Sequence, residues 1–387
     1  MQFVDGVFIK VSDSKKQANE KMTRNQHYVP QCLLKHFGWK ANKGIWKINV
    51  FDVARSKVRY NQAVKEVFSQ NYFYDKDNSI ENFIDTKIEF PASIIIDKIV
   101  SGNFEMVNED PLTLLRFISS LLSRTVEARE ELLSFFNSHI ESIVRQLLGL
   151  NGFDPEEASN GRFEIYDLSQ VASFSTIQGS VNAIIFRDLD FHFVVNETEL
   201  EFYISDHSVF TYNWLYRNLE HPAITSIAAR GFQAFLPLSP TLTLCLYDPK
   251  VYKYGQKNLV TYISNVIDIN ILNSFQMMNV NSIIGFHARE NENNLRYLYD
   301  QNKHISIRTF ESKFVNITES LNSQKEESIK SRHLVFAKQT KLRHMPSFVK
   351  IKRKSNVYAS SFQERDPELV EKVQMIFKQQ INKMIKI

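Results

Sequence analysis

The segment FQAFLPLSPTLTLCLYD, Phe232 to Asp248, decides how the fold is read. Its apolar residues recur at a period of two, the pattern of β-strands and not of a helix. DFHFVV (190–195) and ELEFYISD (199–206) alternate in the same way. Further upstream, GIWKINVFD (44–52) and KVRY (57–60) read as two strands turning at Val53 to Ser56. Helical spacing governs the rest. SIENFIDTKIEFPASIIIDKI (79–99) is one expected helix, with Ser79 as its cap and Pro91 as a kink. Pro111 to Leu150, Gln170 to Phe186, and Tyr262 to Phe286 are others. No regular βαβ alternation links the two kinds of element. The expected class is α+β, predominantly helical, with a small antiparallel sheet.

A chain of 387 residues suits one large domain or two medium ones. With 30 Phe against 11 Gly and 10 Pro, it favours packed elements over loops. Residues 1–24 are polar and read as a flexible arm, 25–300 as the main domain, and 301–387 as a basic extension with a terminal helix. No apolar run approaches the ~18 residues of a membrane span. We therefore expect no membrane partner and a cytoplasmic location. Cys32 and Cys245 form no CxxC pair, which argues against a thiolate metal site or a disulfide framework.

Charge is unevenly placed. Between Ser328 and Gln363 there are nine Lys or Arg and no Asp or Glu; removing nine from the net +4 leaves −5 elsewhere. Lys350, Lys352, Arg353 and Lys354 are its densest part, suited to RNA or DNA phosphates. A solvated connector is the alternative. At the C-terminus, RDPELVEKVQMIFKQQINKMIKI (365–387) begins with Asp366 and Pro367 in capping positions and keeps helical apolar spacing. Such a helix either packs on the core or recruits a protein partner.

Four segments carry candidate chemistry. In NQHYVPQCLLKHF (25–37), His27 precedes a helix started by Pro30. The positive end of that helix disfavours imidazolium, so His27 should be neutral, able to accept a proton or bind a metal. It could equally lock the entry of the chain by hydrogen bonds. Glu81, Asp85 and Glu89 fall within ~80° of one helix face. Glu81 points toward the Ile84, Ile88, Ala92 and Ile95 stripe, where a carboxylate must be paired or protonated. These acids could hold a divalent cation, act as a general base, or pair with arginine. In LLSRTVEARE the stripe Leu115, Ile118, Leu122 and Thr125 places Arg129 on the core face and Arg124 off it. Finally, Asp206 beside His207 ends a strand, where it could orient an imidazole, join a metal set, or cap local N–H groups. No Walker loop, HExxH, GxSxG or dinucleotide fingerprint occurs.

In order, these motifs resemble the bacterial family catalogued as domain of unknown function 4238, over residues of about 24 to 290. The family pattern maps onto His27, Tyr28 and Pro30, then Glu81 and Glu89, then Arg124, then Ser205 and Asp206. It departs at Ser208, where the family usually has proline. The resemblance implies no established activity, fold or cofactor, but a shared polar set suits one assembled site. The function expected is a nucleic-acid-cleaving hydrolase, a nuclease of the kind bacteria deploy in phage defence. His27 would be base or metal ligand, Glu81 and Glu89 metal ligands or an orienting pair, Arg124 the phosphate grip and Asp206 a further ligand. The alternative is a non-catalytic binding or interaction module in which the same residues form a buried network.

Overall fold

The computed structural model describes residues 2–4, 7–9, 24–75, 78–130, 133, 179–219, 221, 223–255, 259–305, 308–321, 326–373 and 375–376. The segment read first folds as a hairpin. Gln233–Ser239 and Leu242–Tyr247 pair antiparallel, Phe235 opposite Cys245. They sit inside a five-stranded sheet in the order Phe210–Tyr212, Gln233–Ser239, Leu242–Tyr247, Asp190–Asn196, Val260–Ile263. Its last strand lies parallel to Asp190–Asn196, so the sheet is mixed. A second five-stranded sheet joins Trp39–Lys40, Trp46–Asp52, Lys57–Ala63, Ile283–Phe286 and Ile204–Ser205, all antiparallel. The turn expected between 44–52 and 57–60 is present, with Val53 to Ser56 joining the two strands.

Two five-stranded sheets overturn the expected predominantly helical α+β fold with a small antiparallel sheet. Trp39–Lys40 and Phe210–Tyr212 are two or three residues long, too short to show a period, and of the alternating 199–206 only Ile204–Ser205 is strand. Two further strands were hidden at the ends of an apparent helix. Of Tyr262 to Phe286 only Val266–Asn279 is helical, capped by Asn265, whose side chain accepts from the Ile267 N–H. Strands Val260–Ile263 and Ile283–Phe286 flank it.

Alternation along the first sheet feeds two cores. Ala234, Leu236, Leu238, Leu242, Leu244 and Leu246 face a core shared with Ile84, Ile96, Leu114 and Ile118. Phe235 and Cys245 face the opposite way, with Phe210, Trp214 and Phe275. There Phe210 and Phe275 stack with centroids 4.3 Å apart. Each such side chain removed from water contributes about 1.5–3 kcal/mol, so both faces anchor the sheet.

Residues 79–100 are not one α-helix. Ser79–Ile84 is α-helical, Asp85–Glu89 is a π-turn, and Phe90–Val100 is α-helical again. Pro91 supplies the cause: it lacks an N–H and its ring would strike the carbonyl four residues back. One widened turn avoids that clash, and the Phe90 N–H reaches back five residues to the Asp85 carbonyl. Ile84, Ile88, Ala92 and Ile95 are buried, as their spacing implies. Ser79 is not the cap. Asp75 accepts from the Ile80 N–H at 2.5 Å and from the Ser79 hydroxyl at 3.1 Å, doing that work from outside the helix.

The basic stretch is woven into the fold. Val349–Ile351 pairs antiparallel with Tyr252–Tyr254, and Phe348 and Val349 are buried in the second core. Asp366 accepts from the N–H groups of Glu368 and Leu369, the expected cap. The helices expected over 134–150 and 170–178, the arm over 10–23 and the terminal residues 377–387 lie outside the described residues. Among the described residues, no helix is long and apolar enough to cross a membrane.

Candidate functional site

His27 ends the strand Asn25–His27, where it lies opposite Ser69 of Ser69–Asn71. The preceding Gln26 is fully buried and fixes the segment after it. Its amide oxygen accepts from the Tyr74 N–H at 2.7 Å and its amide donates to the Asp75 carbonyl at 2.9 Å. Tyr74, also buried, donates its phenolic proton to the His27 carbonyl at 3.0 Å. The backbone at His27 is therefore held from both sides. The imidazole Nε2 lies 3.4 Å from the Val64 carbonyl. A carbonyl only accepts, so Nε2 carries the proton and Nδ1 keeps a lone pair.

His27 shares a cavity of about 410 Å³ with Glu81, Asp85 and Glu89, and with Cys32 and Lys35 of the short Gln31–His36 helix. The π-turn explains why both glutamates reach it. In an uninterrupted helix Glu81 and Glu89 would stand about 80° apart. The turn absorbs one extra residue, which brings them to within about 20° of one line. Asp85, inside the turn, is exposed.

Arg124 closes the cluster from behind. It is buried to 1 % exposure, and its Nη1 donates to Glu89 Oε1 at 2.7 Å. The sequence placed Arg129, not Arg124, on the core face. The helix Pro111–Ser123 ends at Arg124, whose φ of −112° and ψ of 25° break the wheel on which that expectation rested. Arg129 is buried too, as its place on the stripe implies, but it turns to Gln70, 3.4 Å away, and to the ring of Phe73 at 4.6 Å. The Arg124 guanidinium also faces the buried Tyr74 phenol, with which it shares a side-chain hydrogen bond.

Burial sets the protonation of the cavity. It lowers the His27 pKa to about 4; the Val64 carbonyl opposes the shift and Arg124 adds to it. The expected neutral imidazole is thus accounted for by desolvation, with no contribution needed from a helix end. Burial raises Glu81 to about 8, helped by the charge of Glu89 and opposed by Arg124. Glu89 is also pushed up by burial, while its bond to Arg124 holds it back. The Cys32 thiol is driven up to about 12, mainly by burial, and stays protonated.

Asp206 does not line this cavity. Its carboxylate accepts from the N–H groups of Asn281 at 2.8 Å, Ser282 at 2.6 Å and Ile283 at 3.3 Å, and from the Ser282 hydroxyl at 2.6 Å. These bonds tie the chain after Ser205 to the start of strand Ile283–Phe286. Tyr28, facing away from His27 along the extended chain, lies on this side, its phenol pushed up by burial and by the Asp206 charge. Ser205 donates to Gln276 Oε1 at 2.8 Å, and Gln276 donates to the Ser208 carbonyl at 3.0 Å. Side-chain bonds hold the turn where the family usually has proline. His207 meets Glu127 at 3.0 Å through Nδ1. Among the described residues, no group of three or more His, Cys, Asp or Glu is arranged to hold a metal ion. The sequence missed Gln26, Tyr74, Cys32 and Lys35. For Gln26 there was a signal, a long polar side chain next to the candidate histidine.

The fold and site define a protein with two five-stranded sheets in which an imidazole and two glutamates line one polar cavity, and a buried guanidinium bonds one of the glutamates. The chain belongs to the family described as protein of unknown function DUF4238, whose model matches residues 25–304. No curated protein and no solved structure matches it.

Proposed function

We propose that the chain is a hydrolase of phosphodiesters, working by acid–base chemistry at the cavity of His27 and Glu81. The observation that carries this is the meeting of one imidazole and two carboxylates on a single cavity, around a π-turn that aligns the acids. π-turns of this kind concentrate at functional sites. Protonation supports the same division of labour. At neutral pH His27 is neutral and can take a proton from an attacking water, while Glu81 is protonated and can give one to the leaving oxygen. Water then adds across one P–O bond, giving a phosphate monoester and an alcohol, and solvent exchange resets both groups. The exposed Lys350, Lys352, Arg353 and Lys354 favour phosphate as the substrate class.

The test is cleavage of labelled RNA and DNA oligonucleotides by wild type, His27→Gln and Glu81→Gln, with and without chelator. Activity should rise as pH passes about 4 and fall as it passes about 8. Both variants should lose at least 100-fold. Unchanged cleavage by Glu81→Gln, or no cleavage of either polymer, removes the proposal. A second reading, a non-catalytic module, has one observation in its favour: the Arg124–Glu89 pair is buried as a structural pin would be. It expects wild type itself to cleave neither polymer yet to bind its target.

A further inference from the structure

A second constellation lies in the basic stretch, and its chemistry is different. The paired strands Tyr252–Tyr254 and Val349–Ile351 set Lys253 directly opposite Lys350. Both are exposed, and like charges placed directly across a strand pair destabilise it. Lys352, Arg353 and Lys354 continue the ridge on the surface. Lys352 is oriented by its bond to the Pro249 carbonyl. A fold that gathers this much like charge on one edge gains nothing from it alone; an anion along the ridge would reverse the sign.

Beside the ridge opens a cavity of about 490 Å³, whose walls include Tyr247, Tyr254, His192, Asp190, Lys253 and Lys352. Tyr247 stacks on Tyr254 at 4.1 Å with planes 9° apart, and His192 meets Tyr254 edge-on at 5.5 Å. Tyr254 is buried, whereas Tyr247 is only half-buried. With one face taken by Tyr254, Tyr247 keeps its other face for a further flat ring. His192 is kept neutral by burial, which lowers it to about 4, so it adds no charge to the wall. Asp190 is exposed and would turn phosphate away toward the lysine side. Stacking platform and basic rail together are what unpaired nucleotides recognise, since every base has a π-face and every linkage a charge.

We propose that this face binds single-stranded nucleic acid, one base entering the cavity against Tyr247 and the flanking phosphates lying along Lys253, Lys350, Lys352, Arg353 and Lys354. The inference rests on the hydrolase reading for its substrate class, but not for its chemistry. Binding can therefore be measured in Glu81→Gln, which leaves this cavity untouched.

The experiment is fluorescence anisotropy with labelled 12-nucleotide single-stranded RNA, single-stranded DNA and the matching duplexes, over a range of salt. Single strands should bind more tightly than duplex. Replacing Lys350, Lys352, Arg353 and Lys354 with Gln should flatten the log–log salt slope by about 2 to 3 units, at about 0.7 for each single-strand phosphate contact. Tyr247→Leu should weaken binding by about 5- to 150-fold without changing the slope, and Tyr247→Phe should restore it. Circular dichroism and melting confirm that each variant is folded. Equal affinity for duplex, or an unaltered affinity in Tyr247→Leu, overturns the stacking pocket; an unaltered slope in the four-fold variant overturns the rail. Binding without cleavage by wild type would defeat the hydrolase and leave this site standing, and cleavage without binding here would do the reverse.

Discussion

Replacing Glu81 with glutamine should make the protein more resistant to alkaline pH, the opposite of what deleting a paired carboxylate does. Glu81 has its pKa raised from 4.5 to about 8 by burial first and by Glu89 second. A raised carboxylate binds its proton more tightly in the fold than in the unfolded chain. Its stabilisation is complete below 4.5 and is lost as pH climbs through 8. At 1.36 kcal/mol per pH unit the loss would reach about 5 kcal/mol. The side chain is partly open to solvent, which screens it, so we take about 2 to 3 kcal/mol. Glutamine resembles the protonated acid and does not titrate, so it should match wild type at pH 5 and exceed it by that amount at pH 8 to 9. His27 moves the other way. Its lowered pKa contributes stability that is present above 6.5 and lost as pH falls through 4. Because His27 is common to both proteins, the difference between them isolates Glu81. Urea unfolding at pH 5 to 9, followed by tryptophan fluorescence with Trp214 buried as the main reporter, measures it. A difference that stays flat across this range, or wild type gaining on the variant as pH rises, would refute the argument that Glu81 is held protonated.

Other perturbations have expected outcomes as well. Glu89→Leu and Arg124→Met should each cost about 3 to 5 kcal/mol, because each leaves a buried partner without its counter-charge. Glu89→Leu with Arg124→Met together should recover much of that, which a double-mutant cycle in urea would detect. Asp206→Asn should cost about 2 to 3 kcal/mol, since its amide N–H₂ would face backbone donors at Asn281 and Ser282; cleavage at the His27 cavity by the folded protein should persist. Gly285→Ala should cost about 1 to 3 kcal/mol. The new Cβ would stand 2.9 Å from Ile48 Cδ1 and 3.1 Å from Ile204 Cγ2, inside the second sheet.

The sequence made some of this legible, and the failures have physical causes. Where an element is long and buried on a single face, its period is visible: Ile84, Ile88, Ala92 and Ile95 were read as one stripe, and they are buried together. Strands as short as Trp39–Lys40 have no period to show. Their apolar residues instead merge with neighbours, as Ile283–Phe286 merged with the helix before it. The candidate residues fared unevenly for a related reason. His27, Glu81 and Glu89 meet because all lie within the first 100 residues, on elements whose local geometry is set by nearby prolines. Asp206 is some 120 residues further on, and whether a strand-end carboxylate faces a cavity or a row of N–H groups depends on which chain passes it. Here that chain is Asn281 to Ile283. No local pattern in residues 199–206 contains that information.

Pro91 shows how a single residue carries consequences from sequence to site. It was read as a kink in an expected helix. A kink would have swung the glutamates apart; the backbone instead takes up an extra residue over Asp85–Glu89, and the helix continues. The widened turn has a cost, since hydrogen bonds reaching five residues back are poorer than those of an α-helix. Its return is geometric: Glu81 and Glu89 come onto one line facing His27, with Arg124 able to reach Glu89 from the core side. Crowding two carboxylates on one line raises the proton affinity of the one that lacks a bonded guanidinium. That is Glu81, and the charge of Glu89 is the second largest cause of its shift. The same proline that widens the helix thereby places Glu89 where its charge adds to the burial that raises Glu81.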